Sequence, residues 1–174
     1  MAIINDEIRG YIGMESELTE CCDPVEQGAV RRFAQAIMDV DPIYMDKDYI
    51  KGTRYDSPVA PPLFPAAMLR LEFGQPDLVT ERADDPHFDG IVGSSSLGLP
   101  PLPVGNLALI NGGTDVEVFR FAKHGEKVFV RSRYKNIYER ETSKGNMLFV
   151  IYESDFVDEK GDLIIRFSKI TIRR

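Results

Sequence analysis

Residues 23–60 read DPVEQGAVRRFAQAIMDVDPIYMDKDYIKGTRYDSPVA, and the first half of this stretch predicts an amphipathic helix. Asp23 and Glu26 have the spacing of a capping box, and Pro24 stands where a missing N–H costs nothing. We therefore expect a helix over residues 24–38. Its apolar residues recur on one stripe, namely Val25, Ala29, Phe33, Ala36 and Ile37. Such a stripe has to be covered by another element, so Phe33 is expected in the core.

The helix is expected to end where Asp41 precedes Pro42. A proline disfavours helical geometry in the residue before it, which displaces Asp41 from the helix. Asp39 and Tyr44 stand on either side of this break. Any chemistry that the protein carries is expected near it.

Length and composition favour one globular domain over residues 1–174, because 43% of the residues are apolar and 28% are charged. The net charge of -7 argues against nucleic acid or an anionic membrane as the main partner. The sequence has no run of ~20 apolar residues and no basic-then-apolar start. We therefore expect a cytoplasmic protein.

Residues 1–22 predict an N-terminal helix followed by a short lead-in strand. The three isoleucines of the helix, Ile4, Ile8 and Ile12, are spaced to dock on the body of the protein. The two cysteines, Cys21 and Cys22, are adjacent, and neighbouring residues of a strand point to opposite faces. Two reduced thiols are therefore expected, rather than a disulfide or a metal site.

The middle of the chain predicts loops. Four prolines within residues 58–65 favour a stiff, extended segment, after which residues 66–73 can form a short helix. Residues 74–111 are rich in Pro, Gly, Asp and Ser, which is typical of a binding loop or lid. The apolar residues of this segment favour a packed lid over a free tail; they are Phe88, Ile91, Leu97, Leu99, Leu102 and Leu107.

The last third of the chain predicts an antiparallel meander. Its four β-rich runs are separated by the turn sequences KHGEK, TSKGN and DEKGD, and they cover residues 114–119, 127–138, 147–156 and 163–172. Residues 147–152 are apolar at every position, as expected for a strand buried on both faces. One apolar helix followed by a long-stranded sheet suggests an α+β hotdog fold, in which the sheet wraps the helix.

The helix exit, RRFAQAIMDVDPIYMDKDYI, resembles the MaoC-like dehydratase/hydratase family, whose motif at this place reads Gly-Asp-x-Asn-Pro-x-His. The later segments VAPPLF, INGGTDVEVFR and HGEKVFVRSRYKNIYER agree, so the likeness covers most of residues 25–174. More narrowly, the chain resembles the N-terminal, FAS1-like dehydratase half of that family. This group includes the non-catalytic subunit of hydroxyacyl dehydratase heterodimers.

In catalytic members of the family, the motif's aspartate and histidine activate a water, and a backbone N–H of the following loop polarises the thioester carbonyl. Asp39 matches that aspartate, whereas Tyr44 stands at the position of the histidine. Met38 and Asp41 replace the glycine and the asparagine. A tyrosine with its ordinary pKa of ~10 is a poor general base at neutral pH.

The loop departs from the family pattern as well. Catalytic members read approximately Ala-His-Gly where this chain has Ala60, Pro61 and Pro62, and proline has no N–H to donate. The only histidines are His87 and His124. Both are expected on the surface, His124 in a hairpin turn, although His87 could reach the pocket if its segment is a lid.

The resemblance therefore implies a substrate-binding, non-catalytic subunit of a heteromeric (R)-specific enoyl-CoA hydratase or 3-hydroxyacyl-thioester dehydratase. Its partner would be a MaoC-like hotdog subunit with the intact motif, and its ligand an acyl-CoA or acyl-carrier-protein thioester. No cofactor or metal is expected, because the sequence has neither a Cys/His cluster nor a P-loop. The residues expected to line the groove are Asp39, Tyr44, Tyr55, Ala60, Pro61, Pro62, Asn111 and Gly112.

Several interpretations stay open at this point. The chain could be a self-sufficient homodimeric hydratase that uses Asp39 with Tyr44 or a lid residue, or an acyl-CoA-binding regulatory protein without chemistry. Asp39 could equally be a structural residue at the helix end, and Tyr44 is expected to pack with its hydroxyl bonded. Gly112 and its neighbour Gly113 are interpreted as a tight entry to a strand.

Overall fold

The long strands lie in the last third of the chain, as the β-rich runs predicted. The computed structural model describes residues 2–68, 74–76, 78–86, 98–105, 107–143 and 145–174. These residues form a five-stranded antiparallel sheet with the spatial order β1-β3-β4-β5-β2. The strands are β1 (Thr19–Glu20), β2 (Leu109–Val118), β3 (Phe129–Thr142), β4 (Gly145–Val157) and β5 (Leu163–Arg173).

The helices precede the long strands and are short apart from one. The described ones are α1 (Asp6–Arg9), α2 (Gln27–Ala36), a 3₁₀ helix (Pro42–Tyr44), α3 (Lys47–Ile50), α4 (Phe64–Ala67) and α5 (Leu78–Glu81). The helix predicted over residues 66–73 begins earlier than expected, and residues 69–73 lie outside the described part of the chain.

The predicted hairpin between the first two long strands is wrong. β2 pairs with β5, where Val118 faces Ile165, and not with β3. The connection after β2 pairs with more distant segments instead: the Ala60 N–H donates to the Ala122 carbonyl at 2.8 Å, and the Gly125 N–H donates to the Val25 carbonyl at 2.9 Å. Turn residues predict where a strand ends. The long-range backbone hydrogen bonds determine which strand it pairs with.

One face of the sheet carries the core, in two clusters. The cluster beneath α2 includes Val30 and Ala34 of the helix and Phe156 and Ile165 of the sheet. The second cluster lies further along the same face. It includes Ile8 of α1 and Leu99, which pack against residues of the sheet. The sheet therefore packs its inner face on α2, which is the predicted hotdog arrangement. The second cluster also contains Tyr134, Ile137, Leu148, Val150 and Tyr152.

Strand β4 alternates more strongly than its sequence suggested. Leu148, Val150 and Tyr152 point inward and are buried, whereas Met147, Phe149 and Ile151 of the outer face are half-buried. The prediction that this strand is buried on both faces is therefore correct for the inner face and only partly correct for the outer face.

Helix α2 begins at Gln27, three residues later than predicted. Glu26 is its N-cap residue with an extended backbone, and no side-chain capping bond is found there among the described residues. Val25 lies outside the helix, and its N–H donates to the Glu126 carbonyl at 2.9 Å. The Asp23 capping box is therefore wrong, since long-range backbone pairing overrides the local helix signal.

The helix also ends before Pro42, at a Schellman motif. Met38 adopts a left-handed backbone with φ of 57°, the Met38 N–H donates to the Gln35 carbonyl, and the Asp39 N–H donates to the Ala34 carbonyl. The prediction that Pro42 ends the helix is wrong. Asp41 is nevertheless non-helical as predicted, with ψ of 122°. The turn at Met38 is what aims Asp39 back toward the 3₁₀ helix.

Replacing Met38 by glycine is expected to raise the free energy of unfolding by about 0.5–1 kcal/mol. A non-glycine residue in the left-handed region costs about 1–2 kcal/mol, partly offset by the extra unfolded-state entropy of glycine. Met38 is 86% exposed, so little packing is lost. Urea denaturation of Met38→Gly checks this, with Met38→Ala as a control that keeps the strain. A glycine variant less stable than the alanine variant would contradict it.

The predicted apolar stripe of α2 faces the core over its N-terminal part only. Val30 and Ala34 are buried, Phe33 is half-buried at the edge of the cluster, and Ile37 is exposed. Val25 is buried, and Ala29 and Phe33 pack against the core cluster, so the prediction that Phe33 lies in the core is confirmed in part. Ala36 and Ile37 are exposed, at and after the last residue of the helix.

The N-terminal segment agrees in part with its prediction. Ile8 is buried and Ile4 packs against the second cluster, but Ile12 is exposed because the helix ends at Arg9. The lead-in strand is present as β1. Cys21 is buried and Cys22 half-buried, and both are free thiols.

The predicted lid over residues 74–111 is described only in part. Phe88, Ile91 and Leu97 lie outside the described residues, as does His87. Leu99 and Leu102 pack against the second core cluster, so that part of the segment lines the sheet. The last residues of the predicted loop already belong to β2. Gly112 lies inside that strand at a β-bulge between Asn111 and Gly113, rather than at its entry.

Candidate functional site

Asp39 and Tyr44 are brought together at the end of α2. The Tyr44 hydroxyl donates to Asp39 Oδ2 at 2.8 Å, and the Asp41 N–H donates to Asp39 Oδ1 at 3.2 Å. The Asp41 carboxylate caps the 3₁₀ helix by accepting from the Ile43 N–H at 3.0 Å, which fixes the position of Tyr44. Both carboxylate oxygens of Asp39 are therefore hydrogen-bonded within the chain.

Tyr44 is a buried proton donor in this pair. Its side chain is 4% exposed and belongs to the cluster beneath α2. Burial raises the pKa of the Tyr44 phenol well above its ordinary value, and the hydrogen bond to Asp39 adds to this increase. A phenol in this state keeps its proton at neutral pH and cannot act as a general base.

The loop after the helices offers no backbone N–H from residues 59–62. The Val59 N–H donates to the Ile43 carbonyl at 3.2 Å, and the Ala60 N–H is bonded to Ala122. Pro61 and Pro62 have no N–H. Val59 and Ala60 are fully buried, so this loop is a rigid wall rather than an oxyanion donor.

An open groove of about 400 Å³ runs along α2 and was not predicted from the sequence. Phe33 of α2 and Phe64 of α4 both line it and pack edge to face, with ring centroids 5.5 Å apart. The groove reaches Ala36, one turn before Asp39. Seven of its ten lining residues are small or apolar and three are charged; they are Asp23, Pro24, Glu26, Ala29, Arg32, Phe33, Ala36, Phe64, Ala67 and Met68.

The remaining candidate residues divide between two places. Tyr55 packs against the cluster that contains Tyr44 and stacks on Phe121, with ring centroids 5.8 Å apart. Asn111 and Gly112 lie at the far end of β2, opposite Thr171 and Ile170 of β5. They therefore do not belong to the Asp39 end of the fold.

His124 is not the solvated surface residue that the sequence predicted. Its backbone N–H donates to the Pro58 carbonyl at 3.1 Å, and its ring Nε2 is buried with no hydrogen-bond partner in the described structure. Burial lowers the pKa of this imidazole below its ordinary value. The pairing of residues 58–60 with the β2–β3 connection placed it there, which turn chemistry alone did not reveal.

Other kinds of site find little support in the described ranges. No group of His, Cys, Asp and Glu there is arranged to hold a metal ion. Burial raises the pKa of the Cys21 thiol to about 11, which makes it unreactive at neutral pH. None of the described helices combines the length and apolarity needed to cross a membrane.

Comparison with protein families gives one match over most of the chain. The family model of the FAS1-like, dehydratase domain region matches residues 11–167. A UPF0336 protein of Thermobifida fusca (strain YX) is 37% identical over 67 residues, which are 38% of this chain and 43% of that protein. The match thus spans less than half the length of that relative.

Solved structures show the same fold at low identity. A chain of the ChsH1-ChsH2 complex from Mycobacterium tuberculosis superposes with a TM-score of 0.68 and 16% identity, covering 95% of this chain and 86% of that one. The C-terminally truncated HadBC (3R-hydroxyacyl-ACP dehydratase) complex from the same organism gives a TM-score of 0.58 and 15% identity, with 93% and 98% covered.

Proposed function

The chain belongs to the family of FAS1-like dehydratase domains, which have the MaoC-like hotdog fold, and from this we propose that it is the substrate-binding, non-catalytic subunit of a heteromeric hydro-lyase. The reaction is the hydration of an (R)-specific enoyl thioester or the reverse dehydration of a 3-hydroxyacyl thioester. The observation that carries this proposal is the hydrogen bond from Tyr44 to Asp39, because it occupies the place of an acid-base pair with a group that cannot accept a proton.

Adding water to an enoyl thioester needs a base for the water and a donor for the developing oxyanion. In this chain the Asp39 carboxylate accepts from Tyr44 and from the Asp41 N–H, which favours a structural role. The loop at Ala60 has its N–H groups bonded inside the protein. The catalytic base and the oxyanion donor therefore come from a partner subunit.

The groove along α2 is suited to the acyl part of the substrate. Phe33, Phe64 and Met68 provide apolar contacts, and the alanines of the same groove leave space between them. Ala36, which lines the groove, stands three residues before Asp39 in the chain. The acyl chain is therefore placed in this groove, with the thioester near Asp39 and Tyr44.

The edge strand β2 fits the surface that receives the partner. It pairs with β5 on one side, and the described structure shows no strand on its other side. Val116, Val118 and Phe119 expose apolar surface along this edge. A long unpaired edge of this kind invites pairing with another sheet. The HadBC and ChsH1-ChsH2 structures are complexes that contain a chain similar to this one, which supports assembly with a partner subunit.

Val118→Lys is expected to prevent assembly with the partner and to leave the isolated chain folded. A lysine on the exposed edge buries a charge if another strand pairs there. The test is copurification from the native cell, followed by mass measurement of the reconstituted complex. Leu18→Lys is the matched control. Leu18 lies next to β1, at the opposite edge of the sheet, and is 46% exposed, against 45% for Val118. Equal assembly of both variants would contradict the β2 interface.

Tyr44→Phe in the assembled enzyme is expected to change kcat only a few-fold. The variant removes the hydrogen bond to Asp39, whereas loss of a true general base lowers the rate by ~10²-fold or more. Steady-state kinetics with an enoyl-CoA measure this difference. A loss of the larger size would favour the self-sufficient homodimeric hydratase, in which Asp39 and Tyr44 act together.

A further inference from the structure

The inner face of β5 changes character beyond the core cluster beneath α2. Successive residues of a strand alternate between faces, so Lys169, Thr171 and Arg173 share the inner face with Phe167. Phe167 packs against the cluster that contains Tyr44. The three polar residues continue along the same strand, and we name them the β5 polar strip.

Two polar atoms of the β5 polar strip are buried without a partner. Thr171 is 1% exposed, and its Oγ1 has no hydrogen-bond partner in the described structure. Arg173 Nε is also buried without a hydrogen-bond partner in the described structure, while Arg173 Nη1 donates a long hydrogen bond of 3.4 Å to the Leu107 carbonyl. Buried polar atoms are nearly always paired in folded proteins. Two such atoms on one face, two residues apart, make this strip a candidate site for binding a polar group.

The charges of the strip identify the kind of group. Neither Lys169 nor Arg173 forms a salt bridge within the described residues, although the chain has 28 acidic residues against 21 basic ones. Asn111 faces Thr171 across the strands, and its Oδ1 accepts from the Gly113 N–H at 3.1 Å, so its amide N–H groups remain as donors. A set made of donors and two positive charges suits an anion with several acceptor oxygens.

We propose that Lys169, Thr171 and Arg173, together with Asn111, bind a phosphate group. The proposal rests on the proposed function in one respect: the phosphate is that of the phosphopantetheine arm by which an acyl thioester is carried. This chemistry is shared by coenzyme A and acyl carrier protein. The strip lies beside the β2 edge, so the carrier would enter near the proposed interface while the acyl group occupies the groove.

Calorimetric titration of the full chain tests this site without any catalytic partner. The probes are inorganic phosphate, 4′-phosphopantetheine, pantetheine without phosphate, and adenosine 3′,5′-bisphosphate. Thr171→Val and Lys169→Ala are each expected to weaken binding of the phosphate-bearing probes about tenfold, as for a lost charge-assisted or buried hydrogen bond. Lys160→Ala removes the same charge from the β4–β5 turn and is expected to bind like the unmodified chain.

The Thr171→Val variant also serves as the control for loss of folding. Replacing an unpartnered buried hydroxyl by a methyl group leaves stability unchanged or raises it, so Thr171→Val is expected to keep its Tm. Sensitivity of 4′-phosphopantetheine binding to the variants supports the shared arm, and sensitivity confined to the bisphosphate supports a nucleotide phosphate at the same site. Equal binding of every probe to the unmodified chain and both variants overturns the proposal. If the variants weaken binding but no partner confers activity, the phosphate site stands and the proposed function fails.

Discussion

The purified chain alone is expected to show no measurable hydration of an enoyl-CoA thioester, and activity is expected when the catalytic partner is added. Tyr44 keeps its proton, and residues 59–62 present no free N–H to a thioester carbonyl. Acid-base help contributes about 10²–10⁴-fold and an oxyanion donor about 10²–10³-fold. Losing both lowers the rate by several orders of magnitude. A homodimer does not repair this, because both copies carry the same two deficits.

The assay follows the loss of enoyl thioester absorbance with this chain alone, with the partner alone and with both. Asp39→Asn in the mixture is the matched control, since it changes the carboxylate and keeps the side-chain shape. It is expected to alter kcat only modestly, because Asp39 is not assigned the proton transfer. Robust turnover by this chain alone, abolished by Asp39→Asn, would overturn the assignment.

Truncation of Phe156 is expected to lower the free energy of unfolding by about 3–5 kcal/mol, as for large core residues. Phe156 is 1% exposed, and its ring meets that of Phe167 at 5.5 Å beneath α2. Phe33→Ala is expected to cost only about 1–3 kcal/mol, because Phe33 is half-buried and borders an open groove that water can enter.

Equilibrium urea denaturation of Phe156→Ala and Phe33→Ala measures the difference between the two sites. Phe119→Ala, at an exposed position after β2, serves as the reference for loss of an aromatic ring without loss of a core. Equal costs for Phe33 and Phe156 would mean that the groove is closed in the folded protein. That result would contradict the proposal that the acyl chain binds in the groove.

The candidate site was predictable where it depends on covalent chemistry. Tyr44 at the histidine position and the prolines at 61 and 62 exclude a base and a backbone donor in any conformation. The left-handed turn at Met38 had a signal as well, because the related motif has glycine at that place. The partners of Tyr44 and Ala60 had no such signal, since they depend on how distant segments meet.

The sequence by itself determined the central helix, the long strands and the absence of a histidine at position 44 and of backbone N–H groups at positions 61 and 62. The hotdog class followed from the resemblance to the MaoC-like family, and the other features rest on side-chain periodicity, turn residues and the atoms that each residue has. The tertiary structure alone decided that α2 begins at Gln27, that β2 joins β5, that Phe33 borders a groove and that Thr171 is buried without a partner. Each of these depends on contacts between residues far apart in the chain, and such contacts can override local propensity because their combined burial and hydrogen bonding outweigh it.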